Sequence, residues 1–169
     1  MSGIIGVRPD MNSGVVGAYP VGHVIQTVWK QNEAQSMNSV GDGSTYTSSE
    51  VTDAITTRET NSKILLRGTS FGVHSQNGTL GMVWWQRAIG GGATSQLEES
   101  KLVDNYYNRA SGDVSQYEPL ILEYMDSPGV AAGTTITYSA RYKRASGSNS
   151  FYYVHTGHGV LVVLQEISA

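Results

Sequence analysis

The stretch VHTGHGVLVVLQEI, residues 154–167, is apolar at every position from 160 to 164. Successive side chains of a β-strand point to opposite faces, so a strand with this pattern is apolar on both faces. An antiparallel sandwich strand normally has one face toward water, and a doubly apolar strand must be covered twice. Because no convincing helix is found elsewhere, we expect the second cover to be another subunit. One face carries Val160, Val162 and Leu164, and the other carries Leu161, Val163 and Ile167.

Leu161 and Val163 are therefore predicted to lie in a subunit interface, since an exposed apolar stripe usually marks a contact with another protein. Trp84 and Trp85 are adjacent, so on a strand one ring faces the core and the other faces outward or toward a neighbour. The spacing leaves open which ring faces the core, and Trp85 is counted with the interface.

Upstream of this stretch, from His23 onward, apolar and polar residues also alternate with period two. TTITYSARYK, residues 134–143, is the clearest case and predicts a strand with one buried face and one wet face. Asn77-Gly78 separates two strand-like runs and predicts a hairpin. Residues 93–116 are interpreted as a short strand with loops. About eight short strands without a helix predict an all-β fold, an antiparallel β-sandwich or jelly roll.

The first 22 residues combine Gly, Pro and Ser with two short apolar clusters. This composition disfavours a regular element, while the apolar clusters disfavour a simply solvated tail. We therefore predict an extended N-terminal arm over residues 1–22 that anchors a jelly-roll domain over residues 23–169. The predicted anchoring residues are Ile4, Ile5, Val7, Val15, Val16 and Tyr19.

The amino-acid composition limits the kinds of molecule that the chain is expected to bind. The 169-residue chain has a net charge of -3 and 15% charged residues, so it offers no basic stripe to a nucleic acid. No apolar run is long enough to cross a membrane, and no signal peptide is recognisable, so we take the mature chain to start at Met1. The absence of cysteine excludes disulfides and Cys-type zinc sites.

Catalytic and metal sites are not indicated. His155 and His158 are three apart, which on a strand places them on opposite faces, so we expect no metal ion there. Gly90-Gly91-Gly92 lacks the Lys-Ser/Thr of a phosphate loop, and no Gly-x-Ser-x-Gly elbow occurs. The carboxylates are scattered without an evident acid–base pair. We therefore expect neither enzymatic activity nor a cofactor.

Four phrases of the sequence resemble a jelly-roll module of tailed-bacteriophage virion proteins, which is similar to the complement-globular and tumour-necrosis-factor folds. They are GHVIQTV, NSKILLRGTSFG, LEYMDSPGVAAGTTITYSARYK and HGVLVVLQEI. The resemblance covers residues 22–167, and the Arg8-Pro9-Asp10-Met11 arm is also similar to the N-terminus of such proteins. Residues 93–116 depart from the pattern.

The resemblance implies a compact homotrimer whose first and last strands lie side by side in the inner sheet, without catalytic residues. We expect a virion structural protein, a trimer that decorates or cements a phage capsid by binding the major capsid protein or another virion protein through its arm. The alternative is a tail or head fibre tip that binds a host glycan or protein. Location in the particle distinguishes the two functions.

Overall fold

A computed structural model of the chain describes residues 21–33, 45–75, 80–97, 102–105, 115–146, 151–152 and 159–169. Ten strands and no helix occur among these residues, and accordingly none of them belongs to a helix that could span a membrane. The strands are β1 Val24–Glu33, β2 Thr45–Thr56, β3 Lys63–Ser75, β4 Leu80–Ile89, β5 Thr94–Gln96, β6 Leu102–Asn105, β7 Ser115–Asp126, β8 Thr135–Ser146, β9 Phe151–Tyr152 and β10 Gly159–Ile167.

Two antiparallel sheets form a sandwich of jelly-roll type, which confirms the predicted fold class. Sheet A has the strand order β1-β10-β3-β7, and β9 also pairs with β3. Sheet B has the order β2-β8-β4-β5, and β6 also pairs with β4. The first and last strands are neighbours in register from Val24 opposite Ile167 to Glu33 opposite Gly159. This pairing agrees with what the resemblance implied for the ends of the domain.

The predicted hairpin across Asn77-Gly78 is wrong, because β3 lies in sheet A and β4 lies in sheet B. β3 is paired with β10 on one side and β7 on the other, so it has no free edge over most of its length for β4. An Asn-Gly pair favours a reversal of the chain, but it does not determine whether the next strand pairs laterally or enters the opposite sheet.

The core lies between the two sheets and follows the period-two pattern. In β8 the predicted inward residues Ile136, Tyr138, Ala140 and Tyr142 are all buried. In β10 the burial alternates along the strand, with Val160, Val162 and Leu164 fully inside. Burying one such aliphatic side chain contributes about 1.5 to 3 kcal/mol, so these alternating positions supply the main driving force for the sandwich.

Trp85 is 0% exposed within a single chain, so its predicted place in a subunit interface is wrong. Its ring points inward from β4 and packs on Gly68 of β3, where a Cβ atom would come within 3.0 Å of the ring. The indole nitrogen donates to the carbonyl of Leu122 at 3.3 Å. Trp84 alternates to the opposite face of β4 and is also buried. Both rings are therefore buried, although they point to opposite faces of β4. The adjacency of the two residues in the sequence did not predict this.

The segment between β4 and β7 contains two short strands, and both pair with β4. β5 lies opposite residues 86–88 and β6 lies opposite residues 80–83. Residues 98–101 and 106–114 lie outside the described residues. The sequence predicted one short strand with loops here, and the structure has two short strands, β5 and β6, before β7 begins at Ser115.

Candidate functional site

Sheet A presents an outer face on which apolar and polar side chains are mixed. Alternation sends every second side chain of its four main strands away from the core. Trp29 is 64% exposed and Ile121 is 57% exposed, and Met125 is exposed as well. Apolar exposure on this scale within one face is typical of an interaction surface. Among the described residues, the apolar side chains of this face include Trp29, Leu65, Ile121, Met125, Leu161, Val163 and Ile167, and its polar side chains include Thr27, Gln31, Lys63, Arg67, Thr69, Glu123 and Gln165.

One row of this face runs across all four strands. Trp29 lies opposite Val163, Val163 opposite Arg67, and Arg67 opposite Glu123. The Arg67 guanidinium donates through Nε at 2.7 Å and through Nη2 at 2.6 Å, both to Oε2 of Glu123. The row thus places one ion pair among apolar neighbours.

Sheet B has an outer face of different character. Its strands β2, β8 and β4 present mainly hydroxyl, amide and cationic side chains there, and Oγ1 of Thr56 lies 2.9 Å from Oγ1 of Thr135. The exposed large apolar side chains Trp29, Ile121 and Met125 make the outer face of sheet A the candidate surface for contact with another protein. The polar side chains on the face of sheet B include Thr47, Thr52, Thr56, Gln86, Thr137, Ser139, Arg141 and Lys143.

The two remaining predicted interface residues, Leu161 and Val163, both lie on the outer face of sheet A and are partly buried. Their contact with a second subunit stays a prediction. Trp29, Ile121 and Met125 were missed by the sequence reasoning. Parity within LILEYM, residues 120–125, is the signal that could have found the last two residues, because Ile121 and Met125 alternate with the inward Leu120 and Leu122.

A buried carboxylate closes one end of the core. Glu166 is 0% exposed and sits at the inward parity of β10, two residues beyond Leu164. Oε1 accepts from the backbone N–H of Arg58 at 2.8 Å and of Glu59 at 3.0 Å, and from the Ser62 hydroxyl at 2.7 Å. Oε2 accepts from Nε2 of Gln26 at 2.6 Å. The carboxylate thereby binds the connection between β2 and β3 to the paired strands β1 and β10.

A second buried carboxylate joins the two sheets. Asp126, at the end of β7, is 3% exposed. Its Oδ2 accepts from the Tyr138 hydroxyl of sheet B at 2.8 Å, and its Oδ1 pairs with Nη1 of Arg87, also from sheet B. A buried charge is tolerated when it is paired and hydrogen-bonded, as here.

The two carboxylates do not form a catalytic pair. Ile64 separates them in the ladder, because it lies opposite both Glu166 and Asp126. Two strand spacings place their backbones about 10 Å apart. Each carboxylate is occupied by donors of the protein itself and buried from water, so both stabilise the fold. The lack of an enzymatic role elsewhere in the chain stays a prediction.

Replacing Tyr138 by phenylalanine is expected to lower the free energy of unfolding. It is also expected to reduce the loss of stability that the wild type shows at alkaline pH. Burial, reinforced by the negative charge of Asp126 and the hydrogen bond to it, raises the pKa of Tyr138 well above its ordinary value. The neutral phenol is thus favoured in the folded chain, and its contribution is complete below about pH 10 and is lost as the pH rises further. Per tyrosine, this loss is at most about 1.4 kcal/mol per pH unit.

Urea unfolding at pH 8 and pH 11 measures this effect. At pH 8 the phenylalanine variant should be about 1 to 3 kcal/mol less stable, because Asp126 loses a donor. The difference from the wild type should shrink at pH 11. Ile136→Val, in the same strand and core, serves as the control whose cost should not vary with pH. A Tyr138 difference that is equal at both pH values would contradict this cause.

The arm meets the domain at a defined point beside the last residues of the chain. The N–H of Gly22 donates to the carbonyl of Ser168 at 3.0 Å, and the N–H of Ser168 donates to the carbonyl of His23 at 2.9 Å. The N–H of His23 also donates to the Ser168 hydroxyl at 3.1 Å. These bonds tie the base of the arm to the end of β10. The predicted anchoring residues, all within residues 1–20, lie outside the described residues.

The histidine prediction is not tested, because His155 and His158 also lie outside the described residues. Within the described ranges, no group of three or more His, Asp or Glu side chains is placed to hold a metal ion.

Comparison with known proteins gives a loose likeness in structure. No family model matches the chain, and no curated protein is found to be similar to it. Among solved structures it is similar to a chain in the structure of infectious bursal disease virus Gx strain, with 12% identity and a TM-score of 0.35. The match covers 99% of this chain and 47% of the viral chain, so this chain spans about half of that protein's length. The function proposed for this chain therefore does not rest on this likeness.

Proposed function

We propose that this protein is a structural component of a phage virion, a homotrimer that decorates or cements the capsid. The observation that carries the proposal is the group of apolar side chains on the outer face of sheet A, of which Trp29, Ile121 and Met125 are exposed. At about 25 cal/mol per Å² of apolar area, leaving this face in water costs several kcal/mol per chain. Association of copies through it recovers that free energy, and a jelly roll without an evident catalytic pair is suited to such a scaffolding role.

The trimeric state is supported by two further features. The four sequence phrases resemble a phage jelly-roll module whose members are compact homotrimers with the first and last strands paired in the inner sheet. In this chain β1 and β10 are paired, and Trp29 and Val163 from those strands are among the apolar side chains of the outer face. A strand that is apolar on both faces, as β10 is over residues 160–164, is typically covered on both sides.

The arm is the proposed attachment to the particle. The N–H of Gly22, the last residue of the arm, donates to the carbonyl of Ser168, so the arm joins the domain at a fixed point. Ordering each residue costs about 1 to 2 kcal/mol of backbone entropy, and the arm is too short and too rich in Gly to recover this alone. Docking its apolar clusters on the major capsid protein or another virion protein offsets the cost. The proposal involves no cofactor, nucleic acid or membrane.

Deleting residues 2–19 is expected to leave a folded trimer that no longer binds particles. The test mixes purified trimer with virions assembled without this chain, and occupancy is measured after sedimentation of the particles. A full-length variant with Ile4, Ile5, Val15, Val16 and Tyr19 all changed to serine is the matched control for arm length, and it should lose binding to the same extent.

Three different results would each contradict one part of the proposal. Binding of the truncated trimer at wild-type occupancy contradicts the anchoring role. A wild-type chain that sediments as a stable monomer at micromolar concentration contradicts the trimer. Density at the tail tip, rather than over the capsomers, contradicts capsid decoration and supports the alternative of a receptor-binding tip.

A further inference from the structure

The ion pair on the outer face of sheet A lies where copies of the chain are proposed to associate. Arg67 and Glu123 are flanked along their own strands by Leu65, Ile121 and Met125, with no other charge next to them in those strands on this face. Lys63 is the next cation of β3 on the same face, four residues from Arg67, and it is exposed. Any protein that covers the apolar neighbours also covers the pair.

The pair is incompletely satisfied within one chain. Both bonds of Arg67 end on the same oxygen, Oε2 of Glu123. Among the described residues, Nη1 of Arg67 and Oε1 of Glu123 have no hydrogen-bond partner. The side chains are 51% and 48% exposed, so water can serve both groups in the isolated chain. Covering the face removes that water, and a buried charged group without partners is costly.

A partner suited to this face must therefore bring three things together. It must supply apolar surface, an anionic acceptor for Nη1 of Arg67, and a cationic donor for Oε1 of Glu123. A second copy of the same face contains this set, with the acceptor and donor already adjacent. In a symmetric oligomer whose rotation axis passes close to the pair, the Arg67 of each copy would face the Glu123 of the next. An unrelated partner would need an independently matched ion pair.

We propose that Arg67 of each subunit pairs with Glu123 of the partner subunit, so that the ion pairs close into a ring at the subunit interface. This inference rests on the proposed oligomer and adds the groups that select its partner and register. The apolar residues supply most of the association free energy. The charges make it specific, because a shifted register brings like charges together.

A charge-swapped chain, Arg67→Glu combined with Glu123→Arg, tests the ring. The variant keeps the intrachain pair with its polarity reversed, and both positions are half-exposed, so its folding should be unaffected. It should form oligomers with itself as the wild type does. When tagged wild-type and swapped chains are refolded together, mixed oligomers should be at least about tenfold rarer than statistical mixing predicts. Each mixed contact brings together two arginines or two glutamates.

Native mass spectrometry of the mixture counts the mixed oligomers. If they form in statistical proportion, the pair acts only within a chain and the ring is wrong, while the oligomer itself stands. If the wild type sediments as a monomer, the proposed oligomer fails and the ring fails with it.

Single variants keep the ring testable even if the swapped chain does not fold. Glu123→Gln and Arg67→Gln should each raise the dissociation constant of the oligomer at least about tenfold in sedimentation, because each leaves a charge without its partner. Lys63→Gln, on the same strand and face but outside the pair, is the matched control and should change it less than about twofold. Equal dissociation constants for Glu123→Gln and Lys63→Gln would overturn the proposal.

Discussion

Replacing Glu166 by leucine is expected to lower the free energy of unfolding by about 3 to 5 kcal/mol, the cost usual for removing one partner of a buried charged network. Leucine is similar in size to glutamate but accepts no hydrogen bond. The N–H groups of Arg58 and Glu59 and the hydroxyl of Ser62 would then lose their common acceptor. Each buried donor left without a partner costs about 1 to 3 kcal/mol.

Urea unfolding of Glu166→Leu and Glu166→Gln separates charge from hydrogen bonding. The glutamine keeps one acceptor oxygen, but its NH2 group faces donors, so it should lose less stability than leucine and more than a surface variant. Asp53→Asn is the matched control, because Asp53 is only partly buried and, among the described residues, its Oδ1 accepts from the adjacent Ala54 N–H alone, at 2.8 Å. It should change stability by less than about 0.5 kcal/mol. A Glu166→Leu protein as stable as this control would contradict the role assigned to the carboxylate.

Replacing Gly68 by valine is expected to cost about 3 kcal/mol, because the side chain would enter space that Trp85 and Val51 occupy. A Cβ atom at Gly68 would lie 3.0 Å from Cζ2 of Trp85 and 3.0 Å from Cγ1 of Val51. The Trp85 ring cannot retreat easily, since it is fully buried and its nitrogen is bonded to Leu122. Gly68→Ala meets the same two atoms and should cost about 1 to 2 kcal/mol.

Two comparisons test this steric cause. Gly159→Ala is the matched control, because a Cβ atom there meets no atom within 4 Å, and this variant should be as stable as the wild type or more stable. Combining Gly68→Val with Trp85→Phe should cost less than the sum of the two single changes, because the smaller ring makes room for the valine. Strict additivity in unfolding experiments would show that Gly68 acts through its backbone rather than through the contact with Trp85.

The alternation of inward and outward side chains along single strands was predictable from the sequence. It also gives the positions of two buried carboxylates that were not predicted. The inward residues of β8 and the two faces of β10 were assigned correctly, because side-chain direction in a strand depends on parity alone. The same parity places Glu166 on the inward face behind Leu164, and Asp126 behind Leu122 and Tyr124. Both buried carboxylates were therefore present in the pattern but were not recognised as inward positions.

The sequence by itself determined the all-β class, the inward and outward faces of the strongest strands, and the doubly apolar character of residues 159–167, since all of these depend on local parity and composition. Only the tertiary structure decided that β3 and β4 enter opposite sheets, that Trp85 packs on Gly68, and that Arg67 meets Glu123. Strand pairing joins residues far apart in the chain, as Arg67 and Glu123 are. Many such pairings are compatible with one alternating pattern, and close packing between the sheets selects among them.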